Sequence, residues 1–487
     1  MPALSEVEAP DMCGCPSHQY PPLMGEGIEE RGRAHHAGDT PIGHVYNGIR
    51  SRPGDGLGQG AKILKDISVR WGSQRLEALK SRDYRTMWFA SVFAGAASWA
   101  LIVARGSLVY IISDSSMWVG LVTFAAMVPR VIVTPISGYL SDRFDRRTVM
   151  AAMFGVSVVH NLVLAVLALT GVIETWMLIV LALVDGSARA AQVPATQALI
   201  PNLVPKRLLL NAVALHQAAG QGSRVIGPAV IAPLLLTVGP GSAFAICTVF
   251  YGISLIQTLR IRTASTGVID TSQSLVKNLI AGLLYVYRLP TLLAIVVMAI
   301  FHCGLTMSFE SMLPVLSREQ LGEDKAGFAY LMMAVGVGAM VSVVFLAGVR
   351  KESTRGRLFL NLGVLSGLAP VVLAASTGMP AALTAAALMG AAQAGFMTLT
   401  YSMIQAIVPD GVRGRIGGVY SVHVGGMMAA ANLLNGTLSD TLNAPLLLTV
   451  GGIAFIVVMF VSWRVATTRR IFTHGLQMDA AGPLQSV

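Results

Sequence analysis

Charge is scarce in this chain. Asp, Glu, Lys and Arg together make up 12% of its 487 residues, about half the share of a soluble domain. A soluble protein with so little charge could not cover its own surface. With 54% of residues hydrophobic, an ordinary cytosolic enzyme and a wholly disordered chain are both excluded, and the solvent for most of the sequence must be lipid. Cysteine is scarce too. Cys13, Cys15, Cys247 and Cys303 imply no disulfide framework. Cys13, Cys15 and His18 are too few and too local to close a zinc site, so no metal is expected. Gly54, Gly56, Gly58 and Gly60 follow no strand and lead to no Lys-Ser/Thr pair, so they form no phosphate-binding loop. No catalytic triad and no paired catalytic carboxylates are visible. The chain reads as a non-enzyme with no cofactor. The opening MPALSEVEAP has no basic region followed by an apolar stretch, so no cleavable signal peptide is expected.

Long apolar runs are abundant. Twelve have spanning length: about 87–112, 118–140, 148–170, 175–200, 209–237, 241–260, 290–313, 327–348, 358–376, 380–404, 415–437 and 445–466. The loop charges test that count. Alternate loops carry Arg143, Arg146 and Arg147, then Lys206 and Arg207, then Arg260, Arg262, Lys277 and Arg288. They continue with Arg350, Lys351, Arg355 and Arg357, then Arg413 and Arg415, and the last run is followed by Arg464, Arg469 and Arg470. The other loops carry only Arg318 and Lys325, beside Glu319, Glu323 and Asp324. Lys and Arg hold loops on the cytoplasmic side, so both termini are expected there, in a multi-pass protein of the cell (inner) membrane. The net charge of +10 therefore reflects topology, and no nucleic-acid partner is expected.

Five segments follow. Residues 1–82 form an N-terminal tail, read as disordered over 1–60, with an amphipathic helix over about 64–85. Residues 83–260 form a first six-helix bundle, 261–289 a central loop, 290–466 a second six-helix bundle, and 467–487 a C-terminal tail. The fold class is all-α integral membrane, twelve transmembrane helices in two pseudo-symmetric bundles. Thr196, Ile200, Val204 and Pro205 end the fourth run with the spacing that Thr400, Ile404, Val408 and Pro409 repeat at the end of the tenth. Related halves point to a transporter with its site at their interface.

The sharpest motif is Gly138-Tyr139-Leu140-Ser141-Asp142-Arg143-Phe144-Asp145-Arg146-Arg147. It resembles the signature loop of the major facilitator superfamily, and Gly348 to Arg357, with Glu352, resembles the degenerate second copy. The run Pro194 to Pro205, with Asn211-Ala212, Gly227-Pro228 and Pro129-Arg130, resembles the branch of enterobactin-type siderophore exporters and macrolide efflux proteins. The resemblance covers about 83–470. It implies alternating access by two bundles, with Gly138, Asp142, Arg143, Arg146, Arg147 and Glu352 as a cytoplasmic latch. Gly227-Pro228 resembles the bent fifth helix of antiporters. Ile231 and Ala232 stand where that motif has its glycines, and Ala182 stands where drug antiporters carry an arginine, so their proton relay does not carry over.

What remains is the chain's own intramembrane charge. Asp185 lies about 15 Å into the fourth run, with Arg189 at i+4 on the same face. Either Asp185 takes up a proton when Arg189 swings away, or the two are a static pair. Arg105, Arg130 and Arg224 also lie inside runs, where charge is costly. They line a cavity suited to an anionic or polyphenolic substrate, or they serve structure, the reading preferred for Arg130. His160, His216, His302 and His423 read as hydrogen-bonded packing. Glu310, near the outer end of the seventh run, reads as a solvated rim residue. The expected function is secondary transport, with export of a small amphiphilic molecule and proton antiport as the driving scheme. A lipid or lysolipid translocator and a transport-dead sensor or scaffold are the alternatives. The expected partners are a small-molecule substrate, protons and membrane lipid.

Overall fold

The computed structural model describes residues 76–265, 275–323, 326–349, 351–409 and 413–476. The disordered tail and most of the amphipathic helix expected before residue 76 lie outside the described residues. All regular structure among the described residues is helical, as lipid-facing segments require when they must satisfy every backbone polar group internally.

Fifteen helices of nine residues or more follow in order. They are α1 Arg82–Ser113, α2 Ser116–Met127, α3 Pro129–Arg143, α4 Arg146–Thr170, α5 Thr175–Leu203, α6 Leu209–Thr237 and α7 Pro240–Leu259. Then come α8 Leu275–Arg288, α9 Pro290–Leu305, α10 Gly327–Ala347, α11 Glu352–Ala374 and α12 Met379–Ile407. The last are α13 Arg413–Leu442, α14 Ala444–Arg464 and α15 Ala466–His474. The boundaries have local causes. Prolines open α7, α9 and α14 in the first turn, where no amide donor is missed. Asp145 and Asn443 accept the Arg147 and Leu446 amides as N-caps, each at 3.0 Å. Gly171 stops α4 at φ +74°. Pro129 divides the second run into α2 and α3, because it cannot donate to the helix behind it.

Each expected apolar run overlaps a helix, although the second is divided at Pro129 and the helix on the seventh ends at Leu305. Among the described residues nine helical segments are long and apolar enough to cross a membrane, one of them running from α2 into α3 over Ser116–Thr134, or ten if the bent α8–α9 pair is one span. Two helices on expected runs, α6 and α13, fall outside that class. They carry His216, Gln217, Gln221 and Arg224, and His423, Asn432 and Asn435. Both pack between other helices, so polar side chains there meet protein as well as lipid.

Two segments depart from expectation. The expected central loop contains α8, and its Ile280–Arg288 portion meets α9 at 105°. Val286 and Gly282 turn toward the protein, while Ile280, Leu284 and Tyr287 form an exposed apolar edge. Alternation of that kind is amphipathic-helix chemistry and was hidden by the loop's polar start. The expected C-terminal tail begins with α15, which buries Ile471 and Phe472 against α11. A side chain at Gly356 would strike the Ile471 carbonyl.

The packing repeats along the chain. α4 pairs with α7 and α5, and α11 pairs with α14 and α12. α2 and α3 pair with α5, as α10 does with α12. α1 pairs with α6 and α7, as α9 does with α13 and α14. The most extensive contacts that cross between these sets are α2 with α13 and α6 with α10; α3 also meets α13, and α1 meets α10. Small residues set the close crossings. Added methyl groups at Gly338 and Gly390 would run into the Ala387 and Val335 carbonyls across α10 and α12. Gly338→Ala is therefore expected to lower the melting temperature of detergent-solubilised protein, with an overpacking cost of about 1–3 kcal/mol. Gly155→Ala, with no atom within 4 Å of the added carbon, is the matched control and should not destabilise. Equal melting temperatures for the two variants would refute the crossing argument.

Candidate functional site: an arginine-lined cavity

A cavity of about 220 Å³ lies among α1, α2, α3, α5, α6 and α13. Its wall holds Arg105, Arg130, Arg189 and Arg224. Trp99, Met127, Met428 and Phe309 supply much of the apolar surface. The arginine side chains converge because each helix reaches the same depth from a different direction. Arg224 places its guanidinium 4.4 Å from the Trp99 ring centre, a cation–π contact. Its helix can come close to its neighbours at two crossings. A side chain at Gly227 would meet the Ala96 carbonyl of α1, and one at Gly336 the Arg224 carbonyl of α6. Gly227 thus serves a close approach, and α6 runs unbroken through Pro228.

Asp185 is fully buried, and its ion pair is with Arg105 at 3.5 Å. This corrects the expectation of an Asp185–Arg189 pair. Spacing of i+4 brings two side chains to one face, but the partner across the helix interface lies closer. Arg189 faces the cavity instead. Arg130, read from sequence as structural, is also in the wall. Glu310 was expected at a solvated rim and is only 7% exposed. The chain leaves α9 at Leu305 and turns over the cavity, so Met307, Phe309 and Glu310 form its roof. The four intramembrane histidines are not in the cavity wall. His302 bonds Ser366 at 2.8 Å and stacks 4.5 Å from Phe396, and His423 bonds the Val419 carbonyl of its own helix.

The two faces of the helix assembly are closed differently. On the face with few charges, Asp440 of α13 accepts the Ser116 and Met117 amides at 2.7 and 3.2 Å, and the Ser115 hydroxyl. A carboxylate from one helix thereby caps the N-terminus of another, where the helix dipole favours negative charge. Beside it Gly120 and Gly436 bring α2 and α13 into backbone contact. Arg318 adds a pair with Asp114 at 2.7 Å, and Tyr110 donates to Glu319 at 3.1 Å.

On the arginine-rich face, Arg147 grips Asp145 with a shortest contact of 2.6 Å and donates to the Ile261 and Arg262 carbonyls. Arg146 donates to the Ala198 carbonyl and the Ser265 hydroxyl. These contacts bind the start of α4 to the end of α5 and to the strand of chain after α7. Glu352 pairs with Arg355 of its own helix at 2.6 Å. The side chains of Gly138, Asp142 and Arg143 lie outside the described residues. Asp145 was not singled out from sequence, although an aspartate directly before a helix opening with two arginines is a cap signal. Its burial alone would raise the carboxyl, but the Arg147 and Ser265 hydrogen bonds outweigh that and hold it below the ordinary value.

Residues 73–472 match the transmembrane secretion effector family, and the chain belongs to that family of major facilitator transporters. It is 24% identical over 365 residues to the multidrug efflux pump Tap of Mycolicibacterium fortuitum, covering 72% of this chain and 88% of that one. It is 26% identical over 326 residues to the uncharacterized MFS-type transporter YfiS of Bacillus subtilis, covering 62% and 74%. It is 22% identical over 257 residues to the staphyloferrin A transporter of Staphylococcus aureus, covering 52% and 64%. Among solved structures, the nucleoside transporter NupG shares the fold at a TM-score of 0.63 and 11% identity, over 78% of this chain and 98% of that one. A POT family transporter in complex with 5-aminolevulinic acid aligns at 0.65 and 9% identity, over 78% and 95%. The protein is a multi-pass membrane transporter and not an enzyme.

Two outcomes are expected from the pairs described. Arg105→Met strands a buried carboxylate and should cost about 3–5 kcal/mol, and adding Asp185→Leu should recover most of that loss in thermal unfolding. A loss that the second change leaves intact would assign the cost to packing. Asp145→Ala should cost about 0.5–2 kcal/mol at neutral pH. Because the folded carboxyl titrates below its unfolded value, that stabilisation is complete above the unfolded value and disappears as pH falls through the folded one. The gap between variant and parent should therefore begin to narrow below about pH 4 and vanish at still lower pH. A gap that widens in acid would reverse the sign assigned to Asp145.

Proposed function

We propose that this transporter exports a small amphiphilic molecule bearing an anionic group, by alternating access of two six-helix bundles around the arginine-lined cavity. The cavity carries the reading. Four arginines face it or its rear wall against two carboxylates, Asp185 and Glu310, a surplus of two positive charges. Guanidinium groups recognise carboxylate and phosphate through paired hydrogen bonds, and Trp99, Phe309 and the methionines supply an apolar surface for the rest of the molecule. The repeated helix pairings support twelve spans in two related halves, with α8–α9 as the seventh. The crossings of α2 with α13 and of α6 with α10 are then the interface of the halves. Alternate basic loops support termini on the cytoplasmic side of the inner membrane.

Closure on the sparsely charged face corresponds in this reading to an outward gate that is shut. Similarity to a multidrug efflux pump favours outward movement, and similarity to a staphyloferrin A transporter favours a chemically complex cargo. Asp185 is the coupling acid in this scheme, with Arg105 rather than Arg189 as its partner. Separation of that pair in one conformation leaves a carboxylate that a proton neutralises.

Proteoliposomes containing a pH-sensitive dye test the scheme. Addition of anionic siderophore-like, macrolide-like and lysolipid candidates should move protons with one class, and Asp185→Asn should abolish proton movement while insertion is retained. Flux without a proton signal would make the Asp185–Arg105 pair static. Flux confined to lysolipid would replace the exporter reading with lipid translocation.

A further inference from the structure

We propose that Glu310 is a built-in counter-anion, which faces the arginine cluster of the empty carrier and is displaced by the anionic group of the substrate. The inference rests on the cavity being the substrate site. Glu310 is the only carboxylate in the cavity wall among the described residues. Asp185 stands behind the wall and is engaged by Arg105. Arg130, Arg189 and Arg224 have no carboxylate within ion-pair distance among the described residues. Arg224, Arg130, Arg189 and Arg105 all act electrostatically on Glu310. Yet the Glu310 Oε2 and the Arg224 Nε are both buried without a hydrogen-bond partner. Attraction is present and saturation is not. A free carboxylate entering this space can make the paired hydrogen bonds that Glu310, fixed to its backbone, leaves unmade.

The chain positions of these groups give the exchange a mechanical consequence. Arg105, Arg130, Arg189 and Arg224 lie on α1, α3, α5 and α6. Glu310 lies beyond α9, in the non-helical roof between Leu305 and Leu313. That roof is fastened to α13, since the Ser311 amide donates to Asn432 and Asn435 donates to the Ser308 carbonyl at 2.8 Å. Glu310 is therefore an anion of the second half of the chain facing cations of the first. When the cavity is empty, Glu310 draws the halves together and offsets part of the arginine charge as the carrier resets. When a substrate anion takes its place, that tether is cut and the roof is free to leave with α13. No proton is required in this exchange, and the charge on Glu310 is carried aside rather than neutralised.

Binding and flux separate this role from a structural one. The full chain in lipid nanodiscs would be titrated with 2-naphthoate and with uncharged 2-naphthamide, which share one ring system. Parent protein is expected to prefer the anion. Glu310→Gln should bind 2-naphthoate about tenfold more tightly, the effect of removing one competing negative charge from the face of the arginine cluster, with 2-naphthamide binding unchanged. In liposomes the same variant should keep naphthoate–naphthoate exchange while net naphthoate efflux falls, because only the unloaded carrier needs its own anion. Arg224→Met should weaken 2-naphthoate binding in parent and variant alike. Unchanged or weaker 2-naphthoate binding in Glu310→Gln, with 2-naphthamide binding preserved, would overturn the counter-anion. Equal binding of both probes by parent and variant would overturn the anion site itself, and the proposed function with it. A variant that loses both probes would be replaced by Glu310→Asp, whose shorter reach should also tighten 2-naphthoate binding. Failure of that gain would count against the proposal.

Discussion

Lipid offers a guanidinium nothing to bind. Four such groups are carried on α1, α3, α5 and α6, and the arrangement of those helices follows from that constraint. Each arginine must turn inward, so the helices must surround a space rather than fill it. Trp99 covers one cation, Asp185 answers another, and the roof bearing Glu310 closes the side that would otherwise be bare. The glycine crossings serve the same end. Gly227 and Gly336 let α1, α6 and α10 approach to backbone contact on either side of Arg224. Longer side chains there would move the cation away from its companions.

The faces on either side of that space use different chemistry. The sparsely charged face is closed between α2 and α13 by a helix cap and a glycine pair. The arginine-rich face is held by fixed clamps, in which Arg146 and Arg147 bind carbonyls of the same half of the chain. The first arrangement joins parts distant in sequence, as Asp440 and Ser116 are 324 residues apart. The second stiffens one part. A carrier that exposes its cavity to alternate sides needs both kinds of bond, weak ones between moving bodies and firm ones inside each.

Much of this was legible in the sequence, for physical reasons. Spans must be long and apolar, so the helices could be read directly. Buried arginines are expensive, so Arg105, Arg189 and Arg224 stood out. Their partners did not. Helical spacing tied Asp185 to Arg189, whereas Arg105 comes from 80 residues away on another helix. Arg130 was read as structural, and the cavity wall that it joins is built from helices far apart in sequence. Glu310 was misplaced because depth was judged along an apolar run, and the chain abandons the helix before reaching it. The helix α8 was missed because its polar start masked an amphipathic pattern that Ile280, Leu284 and Tyr287 spell out at helical spacing.

The cap on α2 has a consequence for wetting. While Asp440 is in place, the first amides of α2 are satisfied by it. Parting α2 from α13 strips those donors of their acceptor in a region where lipid cannot replace it. Only water can. Hydration of a single helix end thus becomes a condition for parting the two helices.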